Sequence, residues 1–364
     1  MKIVRSSSIE KLIKRYKTKK DSWKDPGNVA VVFGLPGCGK TSLLLDYFEK
    51  KKHFYFSLAS LEESVAENLL ANKISLLSDI SIVGWDDIFK TLSSIYQFII
   101  FDDITPVYSY KRFKESFNEN MFSDHEKRPL VFFIAQTNDP RKKLFDSYDS
   151  MFVKYFSITE VMKYFPKLSQ MDYLGIYTIS GGIPKILYEY NPELSINKNL
   201  LSFLKPSSAF MEFMPGLMNN HFRKPEVYHN ILNSIANGNN RISVIGKFTG
   251  YEYNKCDNYV SVLLSAGIIK TEKQKSKHGT NKNVYVFTNP YFRLWYRYIF
   301  LNRTEIVIGN NIVIEDIINN CVFRFIRTGI PIGIRTVFRK YPDTIPILCG
   351  QRSGGIRTLA TSFT

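Results

Sequence analysis

The stretch VVFGLPGCGKTSLLLDYF, residues 31 to 48, constrains this chain more than any other. Val29 to Phe33 is an apolar run, rich in β-branched residues and too short for a helix, so it predicts a buried strand. Four residues separate Gly34 from Gly39, and Lys40 and Thr41 follow at once, which is the P-loop spacing G-x-x-x-x-G-K-[ST]. Leu43, Leu44, Tyr47 and Phe48 then recur at helical spacing. Strand, loop and helix stand in the order that phosphate binding needs. The loop Gly34, Leu35, Pro36, Gly37, Cys38 and Gly39, with Lys40, Thr41 and Ser42 opening the helix, is the candidate phosphate cradle. Its glycines free the backbone to turn N–H groups inward, and the helix adds the positive end of its dipole. Lys40 is assigned to the β- and γ-phosphates of ATP, and the Thr41 hydroxyl to Mg2+.

A P-loop needs acidic partners, and YQFIIFDDI supplies them. Phe98, Ile99, Ile100 and Phe101 predict a strand running straight into Asp102 and Asp103. Asp102 is expected to hold Mg2+, and Asp103 to orient or deprotonate the attacking water. Hydrolysing relatives of this pattern mostly carry Glu at the second position; the shorter Asp predicts slow turnover. A further strand is expected in PLVFFIAQTND, Pro129 to Asp139. Its polar end, Gln136, Thr137 and Asn138, falls where a residue sensing the γ-phosphate would stand, with Thr137 or Asn138 favoured. HFYFSLA, from His53, predicts one more strand, followed by a helix over 61–70. Residues 9 to 20 read as a basic helix with Ile9, Leu12, Ile13 and Tyr16 on one face. Strands alternating with helices predict an α/β fold with a mostly parallel sheet and helices on both faces.

At 364 residues the chain is too long for one ordinary core. The expected division is 1–27 as basic helix and lead-in, 28–155 as P-loop domain, 156–225 as helical lid, 226–300 as winged helix, and 301–364 as an extension of unclear fold. Lys and Arg number 49 against 33 Asp and Glu, a net charge of +16 that suits a nucleic-acid partner without requiring one. Cys38, Cys256, Cys321 and Cys349 lack metal-ligand spacing and read as free thiols in a reducing compartment. The opening twenty residues are too charged to span a membrane, so a cytoplasmic protein with no membrane partner is expected.

Beyond residue 155 the pattern turns helical. Ser157-Ile158-Thr159 is a helix start signal. In Gly181-Gly182-Ile183-Pro184, residues 180 to 182 read as a turn between two helices, with Pro184 in the first turn of the second. Val227, Ile231, Leu232 and Ile235 form one apolar helix face. A short helix over 242–248 follows, then a third over 254–266 with Cys256, Val260, Leu263 and Leu264 inward and Asn254, Asn258, Ser261 and Ser265 outward. Gly267 ends that helix, and the following residues read as strand, basic hairpin and strand. Three helices and a hairpin make a winged helix, whose third helix could enter a DNA major groove. Candidate DNA contacts are Asn254, Lys255 and Asn258 on that helix and Lys273, Lys275 and Lys277 in the wing. Winged helices also serve as protein-contact modules, and that alternative stays open. Phe292, Trp295, Tyr296 and Ile299 in NPYFRLWYRYIF are expected to pack as core.

P-loop, acid-ended strand, a helical segment with G-G-x-P, and a winged helix together resemble the archaeal-type P-loop ATPases. That family is related to AAA+ origin initiators and to STAND signalling ATPases. The resemblance spans roughly residues 5 to 300 and implies an ATPase with a helical lid. It also implies that Gly182, Ile183 and Pro184 contact the nucleoside. Where the initiators usually carry a sensor arginine, this chain has Pro184. No N-K-x-D string stands near the P-loop, which favours ATP over GTP. The implied protein is an ATP- and Mg2+-dependent switch that cycles between ATP and ADP. Its state would couple to double-stranded DNA, or to protein in a signalling ATPase, as a monomer or a nucleotide-dependent homo-oligomer.

After Leu301 the acids Glu305, Glu315 and Asp316 lack nuclease spacing, so no nuclease is expected. Gly355-Ile356-Arg357-Thr358 is what one frame encodes when it reads antisense through the T-arm of a transfer-RNA gene. Mobile elements integrate in such genes, so replication or maintenance of a mobile element is the expected setting.

Overall fold

In the N-terminal half the central strands are continuous apolar runs whose successive residues point to opposite faces, so each strand feeds two cores at once. The computed structural model describes residues 9–11, 13–14, 28–123, 128–136, 148–275 and 281–320. Strands β1 (Val29–Gly34), β2 (His53–Ser57), β3 (Phe98–Asp102), β4 (Leu130–Gln136) and β5 (Asp149–Val153) form one sheet. Its order is β2-β3-β4-β1-β5, and every pairing is parallel. Val31 lies opposite Phe133 and Ser150, which sets β1 between the central strand β4 and the edge strand β5.

One face of the sheet presents Val31, Phe33, Ile99, Phe101, Val131 and Phe133. Helices α2 (Glu63–Ser78), α3 (Gly84–Ile95) and α4 (Lys111–Asn120) cover it, burying Leu70, Ile74, Phe89, Phe113 and Phe117. The other face presents Val32, Ile100, Phe132 and Ile134 to α1 (Lys40–Phe48), through Leu44 and Phe48. Ile9 and Ile13, buried in the same cluster, place the N-terminal helical residues there; Leu12 and Tyr16 lie outside the described residues. Each fully buried Phe contributes roughly 1.5–3 kcal/mol, so the aromatic content of these strands is a major source of their stability. A parallel sheet covered on both faces is the α/β arrangement of P-loop NTPases.

A second core begins at Phe156 and runs without a break to Ile317. Its helices are α5 (Ile158–Tyr164), α6 (Gln170–Ser180), α7 (Pro184–Leu187), α8 (Ile196–Phe203) and α9 (Ala209–His221). Ser157 caps α5 through a full capping box with Glu160, the start signal read from sequence. Next come α10 (Pro225–Ala236), α11 (Ile242–Thr249) and α12 (Tyr253–Ser265), then the antiparallel pair β6 (Ile269–Lys275) and β7 (Asn281–Phe287). Val227, Ile231, Leu232 and Ile235 are buried as expected, as are Cys256, Val260 and Leu263. Gly267 follows α12 at φ 69°, the left-handed conformation expected of a helix-ending glycine.

Helix α13 (Pro290–Leu294) does not continue as a plain amphipathic helix: residues 295–299 form one π-helical turn. Phe292, Trp295, Tyr296 and Ile299 still all point inward and are no more than 1% exposed, because the wider turn keeps this aromatic run on one side. Helices α14 (Arg303–Val307) and α15 (Asn311–Asn319) close the described chain. Cys38 and Cys256 are buried, and Cys321 and Cys349 lie outside the described residues, as does the whole tail from 321. No helix among the described residues is long and apolar enough to cross a membrane.

Candidate functional site

The carboxyl ends of β1 and β3 lie on the same edge of the sheet with β4 between them, and there the loop residues meet the acids. Gly39, at φ 87°, is the N-cap of α1, and Gly37 sits at φ 71°. Both values lie in the region that glycine enters without a steric penalty. Lys40 folds over the loop, its Nζ donating to Gly34 O at 2.9 Å and Leu35 O at 3.2 Å. Burial lowers its pKa, and the nearby Cys38, Asp102 and Asp103 oppose that shift.

Thr41 reaches across to the acid strand, its hydroxyl donating to Asp102 Oδ2 at 2.6 Å. Tyr55 on β2 donates to the same oxygen at 3.0 Å. Burial and then Asp102 push the Tyr55 phenol up to about 12. Asp102 Oδ1 accepts the backbone N–H of Asp103 at 2.8 Å. Asp103 itself adopts φ 47°, a left-handed conformation, and its Oδ1 is buried without a hydrogen-bond partner. An orphaned carboxylate oxygen next to a threonine–aspartate pair is a donor set suited to one hydrated divalent cation and its water. Among the described residues no group of three or more His, Cys, Asp or Glu forms an all-protein metal cage.

The second core closes over this edge. Pro184, the first residue of α7, would be 3.6 Å from a Cβ placed on Gly39. Phe213 on α9 packs on Gly37, where an added Cβ would meet its ring at 2.4 Å. The Tyr155 hydroxyl donates to Pro36 O at 2.9 Å, and burial holds this phenol well above its ordinary pKa. Leu35 faces Gly267 at the end of α12, 3.8 Å from where its Cβ would be. Gly182 and Ile183 lie beside Pro184, with Ile183 fully buried.

The structure therefore brings Gly34 to Ser42, Asp102, Asp103 and Pro184 to one place. Thr137 and Asn138 lie outside the described residues, as does Lys277; nothing is described of the Gln136 and Lys275 side chains. Asn254, Lys255, Asn258 and Lys273 are exposed and stand apart, on α12 and the hairpin. Lys255 sits 4.2 Å from the Tyr251 ring centroid, and Lys270 pairs with Glu272 at 2.8 Å. Asn254-Lys255-Cys256-Asp257 does spell N-K-x-D, but it opens α12, roughly 18 Å along the helix from the Gly267 end that touches the P-loop. Sequence reasoning missed Tyr55, Tyr155 and Phe213. Each reaches the site across a strand or domain contact that no local pattern encodes.

No known family profile matches the chain. A protein of unassigned function from Methanocaldococcus jannaschii is 23% identical over 296 residues, which is 77% of this chain; the match spans 66% of that relative's length. The solved structure of a Walker-type ATPase from Pyrococcus abyssi superposes with a TM-score of 0.54 at 16% identity, covering 79% of this chain and 95% of that one. The sheet order and this likeness give the chain a P-loop NTPase fold.

Proposed function

We propose that this chain is an ATP-binding and hydrolysing switch protein whose nucleotide state governs DNA binding. One observation carries the reading. Lys40, Thr41, Asp102 and Asp103 converge at the carboxyl edge of the sheet, under Pro184 and Phe213 of the helical segment. The fold likeness to a Walker-type ATPase supports it.

In this reading the residues divide the work as follows. Lys40 exchanges its two carbonyl acceptors for β- and γ-phosphate oxygens, and backbone N–H groups of 35–42 cradle the rest. Thr41 and Asp102 would hold Mg2+, which would supply charge neutralisation for the phosphate groups. Asp103, whose free oxygen needs a donor, orients the attacking water and takes its proton. Gly182, Ile183 and Pro184 contact the nucleoside, and Thr137 or Asn138 senses the γ-phosphate. Positioning and electrostatics provide the rate, with no covalent intermediate.

Residues 28–155 then act as the ATPase domain, 156–225 as lid and 226–300 as winged helix. The contact of Leu35 with Gly267 couples the P-loop directly to the third helix of that winged helix. ATP binding moves the P-loop, and α12 and the hairpin move with it, presenting Asn254, Asn258 and Lys273 to DNA. Maintenance of a mobile element remains the setting we infer. The ion pair Lys270–Glu272 and the seat of Lys255 over Tyr251 occupy two of the local cations, and they favour the protein-contact alternative.

The deciding experiment is duplex binding by the full chain with ATP, ADP or no nucleotide, across a salt series. The expected outcome is nucleotide-dependent binding whose salt slope falls by about one for each lysine removed in Lys273→Ala with Lys275→Ala. Phosphate release without any duplex binding at low salt would reject the DNA reading in favour of a protein partner.

A further inference from the structure

Strand β7 of the hairpin ends at Phe287, and Asn289 opens α13 as its N-cap. The Asn289 side chain is buried and makes two hydrogen bonds. Its Oδ1 accepts the backbone N–H of Tyr291 at 2.9 Å, which caps the helix. Its Nδ2 donates to Gly181 O at 2.8 Å, a contact between residues 108 apart in sequence. A backbone N–H on one side and a carbonyl on the other leave the amide one orientation. The two residues also pack tightly, since a Cβ on Gly181 would collide with the Asn289 amide.

The turn that Asn289 grips leads to the phosphate loop. Gly181 and Gly182 are buried at φ 61° and 72°, and Pro184 follows, 3.6 Å from where a Cβ on Gly39 would be. Helix α7, which Pro184 opens, is four residues long and has no side-chain cap. So short a helix cannot hold its own direction, and outside contacts must set it. On one side the Phe156 N–H donates to Gly182 O at 2.9 Å. On the other, Asn289 donates to Gly181 O. The pair Lys185–Glu212, at 3.8 Å between exposed side chains, adds little. Thr288, the residue before Asn289, donates its hydroxyl to Gly267 O at 2.6 Å, and Gly267 faces Leu35. The step from hairpin to α13 thus holds two of the elements that meet the P-loop, one at Leu35 and one at Gly39.

We propose that Asn289 is a positioning residue for the nucleoside: through Gly181 O it sets the turn of Gly182, Ile183 and Pro184 against Gly39. It touches no ligand itself. The proposal rests on the ATP reading above, in which those three residues contact the nucleoside. Two consequences follow. First, cutting the bond disturbs the nucleoside end of the site and leaves Lys40, Thr41 and Asp102 as they are. Second, β7 leads straight into Asn289, so a ligand that displaces the hairpin shifts the turn. Hairpin occupancy and nucleoside affinity are then linked, each changing the other by the same factor.

The test uses the full-length chain with Mg2+ and two probes, β,γ-imido-ATP and inorganic tripolyphosphate, with affinities measured by calorimetry. Both carry three phosphate groups in a chain, and just the first carries a nucleoside. Asn289→Ser keeps a side-chain cap for α13 but is too short to reach Gly181 O. It is expected to lose about tenfold in β,γ-imido-ATP affinity, the cost of a lost hydrogen bond that strands a buried carbonyl, and no more than about twofold in tripolyphosphate affinity. Asn289→Asp, of the same size and an equally good cap, replaces the donor by an acceptor and should show the same split at pH 8. Circular dichroism melts of both variants check that the fold is kept. Equal losses for the two probes, or unchanged β,γ-imido-ATP affinity in both variants, would overturn the proposal. So would a wild type that binds the two probes equally, because the nucleoside would then contribute nothing. If wild type binds neither probe, or Lys40→Ala binds both as well as wild type does, the ATP reading falls and the proposal falls with it.

Discussion

Gly182→Ala tests how Phe156, where the second core begins, is held against the turn between α6 and α7. Gly182 follows the helix-ending Gly181 and sits at φ 72°, where an alanine costs about 1–2 kcal/mol. The added Cβ would stand 2.0 Å from Phe156 O and 2.9 Å from Phe156 C, backbone atoms that cannot swing aside as a side chain can. Relief requires the two segments to part, which sacrifices the bond from Phe156 N to Gly182 O at 2.9 Å, roughly another 1 kcal/mol. The expected loss is therefore about 3 kcal/mol, read as a lower urea midpoint by far-UV circular dichroism. Gly216→Ala is the control: it lies inside α9, and nothing stands within 4 Å of its added Cβ. It should stabilise by about 0.5–1 kcal/mol. A Gly182→Ala midpoint indistinguishable from wild type would refute the steric argument.

Other consequences are equally direct. His229 accepts or donates at 2.9 Å with Tyr296 OH and stacks on Phe300; burial, and then Arg303, push its pKa down to about 4. The unfolded chain then binds the extra proton, so this contribution is complete above about pH 6.5 and drains away as pH falls towards 4, at no more than about 1.4 kcal/mol per pH unit. Unfolding midpoints at pH 7 and pH 5 should differ more for wild type than for His229→Gln; identical differences would contradict this. Tyr55→Phe removes one of two hydroxyl donors from Asp102 Oδ2 while leaving that of Thr41. Phosphate release should fall about tenfold, the low end of the roughly 1.5–3 kcal/mol that a hydrogen bond to a charged group is worth, with little change in melting; unchanged turnover would remove Tyr55 from the site.

The nucleotide loop was legible because its chemistry is local. Strand, glycines, lysine and helix sit within twenty consecutive residues, and Asp102 announces itself by ending an apolar strand. Strand β5 gave no such signal. Asp149 to Val153 is an edge strand with alternate residues half-buried or exposed, including Phe152 at 51%, so its hydrophobic pattern is weak. Helix α4 went unassigned although Phe113 and Phe117 are buried one turn apart, because charged residues outnumber its apolar ones. The π turn at 295–299 adds a residue to a helical repeat without altering composition. Tyr55, Tyr155 and Phe213 meet the site only through tertiary packing, and side chains brought together that way leave no spacing to read.

The central claim is that Lys40, Thr41 and Asp102 form one Mg2+-nucleotide site. The most direct measurement is ATP and ADP affinity, with phosphate release, for wild type and Lys40→Ala in the presence and absence of Mg2+. Wild type should bind both nucleotides and release phosphate only with Mg2+, and Lys40→Ala should lose at least about tenfold in affinity and all detectable turnover. Equal nucleotide affinity in the two proteins, or release that ignores Mg2+, would contradict the account.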